Sequence, residues 1–296
     1  MEHDRGFPAA PGPAVPDASV RVVLAQAHSY GDEGDFAGMA EHLSAALVDH
    51  PDNPYVLCWL GVAERELGLD SRAYQHFRAC LATRPSDPHV LATAGNAVAA
   101  LDDPGAEGAL RTATLLAPEL PLTRWLYGAW LAREGMIDDG LRELGAARDL
   151  DPHDPAIRFE LGVALYLAGR REAAIDELYR AIDLSPRDGW THVVLGLILS
   201  EDGYGEEAAG VLERGARLRP EDVDAQLLAG LATAAFGADA CALEMVECAR
   251  QIAEGADRAL VDEVERRIEE GPEEAAAGLA EQIGPIVLRE RIMMRP

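Results

Sequence analysis

Residues 155–188 read PAIRFELGVALYLAGRREAAIDELYRAIDLSPRD, and the stretch that follows, residues 189–222, reads GWTHVVLGLILSEDGYGEEAAGVLERGARLRPED. Laid over one another, Leu161-Gly162 falls on Leu195-Gly196, Gly169 on Gly203, Ala174 on Ala208, Leu178 on Leu212 and Pro186 on Pro220. Outward from there the prolines continue as Pro51, Pro85, Pro118, Pro152, Pro186 and Pro220, in steps of 34, 33, 34, 34 and 34. Gly61, Gly95, Gly128, Gly162, Gly196 and Gly230 keep the same steps. A third series runs Gly34, Gly68, Gly135, Gly169, Gly203 and Gly237, with Asp102 in its one gap. All three absorb the same one-residue deletion between Gly95 and Pro118, so they describe one tandem repeat.

Each landmark has a physical reason. The Leu-Gly glycine and the later Ala are small, which lets two antiparallel helices approach closely. The glycine between them can take the left-handed conformation that closes a helix, and the acidic residues after it (Asp138, Asp139, Glu172, Glu206, Glu207) complement the next helix's N-terminal dipole. The proline cannot continue a helix interior and separates one repeat from the next. Seven helix pairs follow, at 20–53, 54–87, 88–120, 121–154, 155–188, 189–222 and 223–256. The period persists once more at Gly271, Ala276 and Ile283, with Val264 in place of the first glycine; this degenerate eighth pair, within residues 257–296, is expected to be a C-terminal cap and tail. Residues 1–17 carry Pro8, Pro11, Pro13 and Pro16 with no periodic apolar face, and are expected to be disordered.

The pattern resembles the tetratricopeptide repeat. Leu57, Leu60-Gly61, Ala73, Phe77, Cys80 and Pro85 fit it in the second repeat; Leu161-Gly162, Ala174, Leu178, Ala181 and Pro186 fit it in the fifth; Leu195-Gly196, Ala208, Leu212 and Pro220 fit it in the sixth. Arg124, Arg158, His192 and Gln226 stand where that family usually has Trp. The resemblance runs from about Ala18 to Gly255. It implies an all-α, right-handed superhelical solenoid of antiparallel helix pairs that works by holding another protein.

Composition narrows the chemistry. The 52 acidic residues outnumber 26 basic ones, giving a formal charge of −26, and every basic residue is Arg. Without a lysine there is no P-loop, no Schiff-base amine and no kinase strand lysine. An acidic field repels polyanions, so nucleic acid is not an expected partner. Arg used to the exclusion of Lys, with abundant Ala and Gly, fits a GC-rich bacterial genome. The N-terminus does not read as a signal peptide, and the longest uncharged runs, 88–101 and 225–238, fall short of the roughly 20 apolar residues that span a bilayer. Cys58, Cys80, Cys241 and Cys248 then read as reduced thiols, and the expected location is cytoplasmic with no membrane insertion.

In proteins of this type the first helix of each pair lines a groove. Positions six and three before the landmark glycine, and one, four and five after it, form one stripe per repeat. The third repeat places His89, Ala92, Asn96, Ala99 and Ala100 there; the fourth, Leu122, Trp125, Ala129, Ala132 and Arg133; the fifth, Ala156, Phe159, Val163, Tyr166 and Leu167. The sixth places Trp190, Val193, Leu197, Ser200 and Glu201, and the seventh Asp224, Leu227, Leu231, Ala234 and Ala235. Tyr55 and Arg65 extend the set in the second repeat. The candidate partner-binding residues are therefore Tyr55, Arg65, Asn96, Leu122, Trp125, Arg133, Phe159, Val163, Tyr166, Trp190, Val193, Leu197, Leu227 and Leu231. An apolar groove on so acidic a chain marks a binding surface, with Trp125, Phe159, Tyr166 and Trp190 as anchors. The other reading, that these aromatics are plain core, stays open.

The family's clamp for chaperone-tail carboxylates uses lysines that are absent here, although Asn96, Arg65 and Arg133 are present. An apolar segment with basic flanks suits the surface better. No nucleophile elbow, His-Glu-x-x-His, glycine-rich phosphate loop or Cys-x-x-Cys occurs, so neither catalysis nor a cofactor is expected. His28, Cys58 and His89 take groove places in successive repeats and form a faint metal constellation, against which unrelated histidines and a buried thiol are the plainer account. A protein-binding scaffold or chaperone is the leading functional reading. A structural subunit or maturation factor of an enzyme complex is the alternative, with a small-molecule or metal sensor behind both. The tail offers Ile286-Val287-Leu288 and Ile292-Met293-Met294 around Arg289 and Arg291, after a helix-breaking Gly284-Pro285. It has the composition inferred for a partner. It could fill the groove of its own chain, join two copies as a homodimer contact, or complete the cap.

Overall fold

The computed structural model describes residues 16–294 and Pro296. The expectation for residues 1–17 therefore falls almost wholly outside the described residues, with Pro16 and Asp17 the exceptions: the Asp17 Oδ1 accepts the Val20 N–H at 2.9 Å and caps the first helix. Among the described residues there are helices and no strands.

The helices come in pairs along the period. They are α1 (Ala18–Asp32) with α2 (Phe36–Asp49), α3 (Pro54–Glu66) with α4 (Asp70–Ala82), and α5 (Pro88–Ala99) with α6 (Gly105–Leu116). Next come α7 (Pro121–Arg133) and α8 (Ile137–Leu150), α9 (Pro155–Leu167) with α10 (Arg171–Leu184), α11 (Gly189–Glu201) with α12 (Gly205–Leu218), and α13 (Val223–Ala234) with α14 (Asp239–Ile252). The eighth pair is α15 (Asp257–Glu270) and a long helical rod. That rod is built from α16 (Pro272–Ala277), a π turn (Gly278–Gln282) and α17 (Ile283–Met293).

The bends inside each pair are set by backbone conformation. Gly34, Gly68, Gly135, Gly169, Gly203 and Gly237 all take positive φ, and Asp102 takes the same left-handed conformation in the gap, with φ between 53° and 84° across the seven. These are the positions of the third periodic series. First helices begin differently: Asn53, Asp87, Asp154, Asp188 and Asp222 each accept first-turn backbone N–H groups, and Pro54, Pro88 and Pro155 follow three of them at the first helical position. The polar residues that replace the family's Trp tie down the loop behind them. Arg158 donates from Nη2 to Pro152 O at 3.0 Å, Gln226 donates from Nε2 to Ala216 O at 2.9 Å, His192 Nδ1 lies 2.8 Å from Asp188 O, and Arg124 Nε donates to Pro118 O.

Packing within a pair rests on the small residues. A Cβ on Gly162 would lie 2.8 Å from Leu178 Cγ, and one on Gly196 would lie 2.6 Å from Leu212 Cγ. The chain divides into two compact units, one ending at Leu131 and one running from Ala132 to Met294. In the first, Phe77, Leu43 and Leu60 are fully buried in one cluster, and Leu110 and Leu126 belong to a smaller one. In the second, a single core runs from Val163 and Leu178 to Val287, Leu288 and Ile292, so the C-terminal pair shares its core with the fifth to seventh repeats.

Gly196→Val is expected to destabilise the protein by about 1–3 kcal/mol through overpacking against Leu212. Gly210→Ala, in an α12 position where an added Cβ meets nothing within 4 Å, should stabilise it by about 0.5–1 kcal/mol. Urea denaturation midpoints at unchanged m-value check both.

Candidate partner-binding surfaces

In the first unit the inner positions of α3 and α5 line a cleft of about 180 Å³, whose walls include Leu24, His28, Tyr55, Trp59, Asp87 and His89. Tyr55 is buried and donates its hydroxyl to Asp87 Oδ2 at 3.1 Å. Loss of solvent, with the Asp87 charge second, pushes its phenol well above the ordinary tyrosine range. His28 meets Trp59 edge-on, with ring centroids 4.8 Å apart. His28, Cys58 and His89 do line this one cleft, yet no group of three or more His, Cys, Asp or Glu among the described residues is placed to hold a metal ion. The Cys58 thiol is buried and its pKa is raised, most of all by the neighbouring Cys80.

The remaining candidates in this unit differ in setting. Asn96 is buried. Arg65 is exposed and lies 3.7 Å from Glu66, a surface pair worth little. Leu122 and Trp125 are half-buried against the Leu91, Leu110 and Leu126 cluster, and the Trp125 indole N–H is buried without an acceptor. Trp59 and Trp130, absent from the stripe read from sequence, are half-buried against the other cluster.

In the second unit the stripe is covered. Val163, Val193, Leu197, Leu227 and Leu231 are each no more than 1% exposed, while Phe159, Tyr166 and Trp190 are half-buried against the same core. The cover is the chain's own C-terminal segment: α17 packs on α11 and α13, and the π turn packs on both as well. A Cβ on Gly284 would stand 3.1 Å from Leu197 Cδ2, and one on Gly278 would stand 3.3 Å from Leu231 Cδ2. Of the placements open to the tail, it takes its own chain's groove.

Charged groups fix the register of this contact. Arg133 and Glu160 form a buried two-bond pair, Nη1 to Oε2 at 2.6 Å and Nη2 to Oε1 at 3.1 Å, and Arg133 Nε donates to Ile292 O at 2.9 Å. A cation thus sits at the last carbonyls of α17, where the helix dipole is negative. Arg291 Nη2 donates to Asp224 Oδ2 at 3.0 Å, and its guanidinium lies 3.7 Å from the centroid of the Trp190 ring, which Arg219 also approaches at 4.5 Å. Burial raises the Asp224 carboxyl pKa despite the Arg291 bond. Tyr166 donates to Glu201 Oε2 at 2.8 Å; loss of solvent, then that carboxylate, pushes its phenol up to about 12. Glu160 was not legible as a site residue. Its only sequence signal is a carboxylate two residues before a landmark glycine, where the neighbouring repeats have Leu126 and Val194.

Arg133→Met strands the Glu160 carboxylate in the interior and is expected to cost about 3–5 kcal/mol. Arg133→Met with Glu160→Leu together should recover most of that loss, because an apolar pair of similar volume needs no desolvated charge. Thermal and urea unfolding of the three proteins check the sign of the coupling.

No curated protein matches the sequence. The tetratricopeptide repeat family profile matches residues 24–88 and 131–189. Among solved structures, the chain is similar to the APC/C hetero-tetramer Cut9–Hcn1, with TM-score 0.66 and 19% identity over 82% of this chain and 48% of that one. It therefore spans about half the length of that relative. A tetratricopeptide repeat protein from Parabacteroides merdae aligns with TM-score 0.60 and 15% identity over 86% of this chain and 100% of the other. The pilF protein of Pseudomonas aeruginosa aligns with TM-score 0.56 and 15% identity over 71% and 96%. At such identities the likeness is one of fold. With the period, the left-handed turns, the paired helices and the family match in agreement, the chain is a tetratricopeptide repeat protein.

Proposed function

We propose that this chain is a non-catalytic scaffold that holds an apolar, basic-flanked segment of a partner protein on the inner faces of its first helices. Tetratricopeptide folds serve in general as protein-interaction scaffolds. The observation that carries the finer reading is the contact already made in the second unit, where α11 and α13 hold a helix with four buried aliphatic residues and an arginine set on an aromatic ring and a carboxylate. A net charge of −26 favours encounter with such a basic-flanked segment. In the first unit, the Tyr55, Trp59 and Asp87 cleft offers a second place with the same chemistry, aromatic and acidic.

The alternative, a subunit or maturation factor of an enzyme complex, would engage the outer faces of the second helices. A photo-cross-linking amino acid placed at Trp59 or Tyr166 on the inner side, and at Val48 or Leu115 on the outer side, separates the two. Val48 and Leu115 are 81% and 75% exposed, so label there is fully available. Discrete adducts from Trp59 and Tyr166, with none from Val48 and Leu115, are expected in cells producing the full chain. Adducts confined to the outer positions would overturn the groove reading in favour of the alternative.

A further inference from the structure

The segment that covers the second unit's inner face has features of a replaceable occupant. Its buried side chains, Ile283, Val287, Leu288 and Ile292, fall on one helical face at spacings of four, five and nine. That face meets α11 and α13 as a separate helix would, and it ends on the Arg133 guanidinium.

Three observations bear on how firmly it is attached. First, the chain is broken just before it. The π turn interrupts the rod, Pro285 has no N–H to give, and a Cβ on Gly284 would overlap the Leu279 carbonyl oxygen. These features, with Gln282 at φ −127° and ψ −70°, mark a break in the helix at the point where α17 joins the rest of the pair. Second, Arg291 is imperfectly matched: its Nε is buried with no acceptor, and burial, with Asp222 and Glu290 nearby, leaves the carboxyl pKa of its partner Asp224 raised despite the Arg291 bond. Third, the opposite face of α17 is only partly polar, with Ile286 and Met293 exposed beside the exposed Arg289 and Glu290, and Met294 exposed just past the helix. Ile286, Met293 and Met294 remain 61%, 46% and 57% exposed, an arrangement that a helix with a polar outer face would improve on.

We infer that α17 is a displaceable stand-in that keeps this inner face shut until a partner helix of the same pattern replaces it. That pattern is aliphatic at a first position and four, five and nine residues later, with an arginine at the eighth, set between Trp190 and Asp224. The inference rests on the scaffold reading above. It adds that the second unit is autoinhibited and that arginine recognition by Trp190 and Asp224 selects the partner.

Two measurements on the full chain test it. In hydrogen exchange of the wild type, amides of residues 283–293 should exchange at least tenfold faster than those of the buried run 191–199 in α11; equal protection, meaning that α17 opens only on global unfolding, overturns the inference. In fluorescence anisotropy with a labelled synthetic peptide of residues 279–296, the full-chain double variant Arg291→Ala/Ile292→Ala should bind at least tenfold more tightly than the wild type. Adding Trp190→Ala should abolish the gain. A folded double variant with unchanged affinity overturns the inference, as does a double variant that no longer unfolds cooperatively, which would make α17 a structural cap. Cross-links from Trp59 and Tyr166 alongside a slowly exchanging α17 would leave the scaffold reading standing and remove the stand-in alone.

Discussion

The constraint on which the rest depends is the close approach of the two helices in the second to seventh pairs, permitted by a glycine in the first helix and a small residue in the second. At Gly196 there is no room for a methyl group beside Leu212, and at Gly162 none beside Leu178. Interior packing is dense enough that one methyl group there displaces a helix. A fixed approach needs a fixed bend, which the left-handed residues supply, and a fixed restart, which the Asx caps supply. The 34-residue period is the sequence record of these requirements repeated.

Repetition brings a difficulty with it. A first helix packed on its own partner and on the next repeat still has an inner stripe, and apolar residues there must be covered or used. The two units meet the difficulty differently. The inner stripe around α3 and α5 is lined by partly polar groups, Tyr55, Asp87 and His89, and leaves a small cleft. The stripe around α11 and α13 is aliphatic, Val193, Leu197, Leu227 and Leu231, and is covered by the C-terminal helix, so that α11 is buried without interruption from Thr191 to Leu199.

The repeating parts were legible because they are local. The alternation of paired helices and the left-handed turns of the third series, including that at Asp102, follow from spacings under one period. The caps at Asn53, Asp87, Asp154, Asp188 and Asp222 repeat at the same interval and could have been read in the same way. What covers the inner stripe could not. Arg133 meets Ile292 across 159 residues and Arg291 meets Asp224 across 67, contacts that join a repeat to a segment well beyond its neighbour. Composition showed that the tail and the groove match; it carried no information on whether the match is made within one chain. The metal constellation failed for the converse reason: periodicity set His28, Cys58 and His89 along one cleft, but lining a cleft does not bring donors within bonding reach of one ion.

Most polar groups of the second unit's inner face keep a partner outside the C-terminal helix. Arg133 keeps two of its three donor nitrogens on Glu160 whether or not Ile292 O is present, so the buried charge stays paired. Trp190 keeps Arg219 against its ring. Asp224, whose carboxyl pKa is raised by burial first of all, regains water if Arg291 departs. The groups that lose most when the contact opens are aliphatic, and for these any helix of the right pattern is an equivalent cover, because the hydrophobic effect is proportional to area and indifferent to chain identity. Arg133 reads only a main-chain carbonyl of the occupant, so the side-chain-specific directional element in the contact is the arginine between an indole face and a carboxylate.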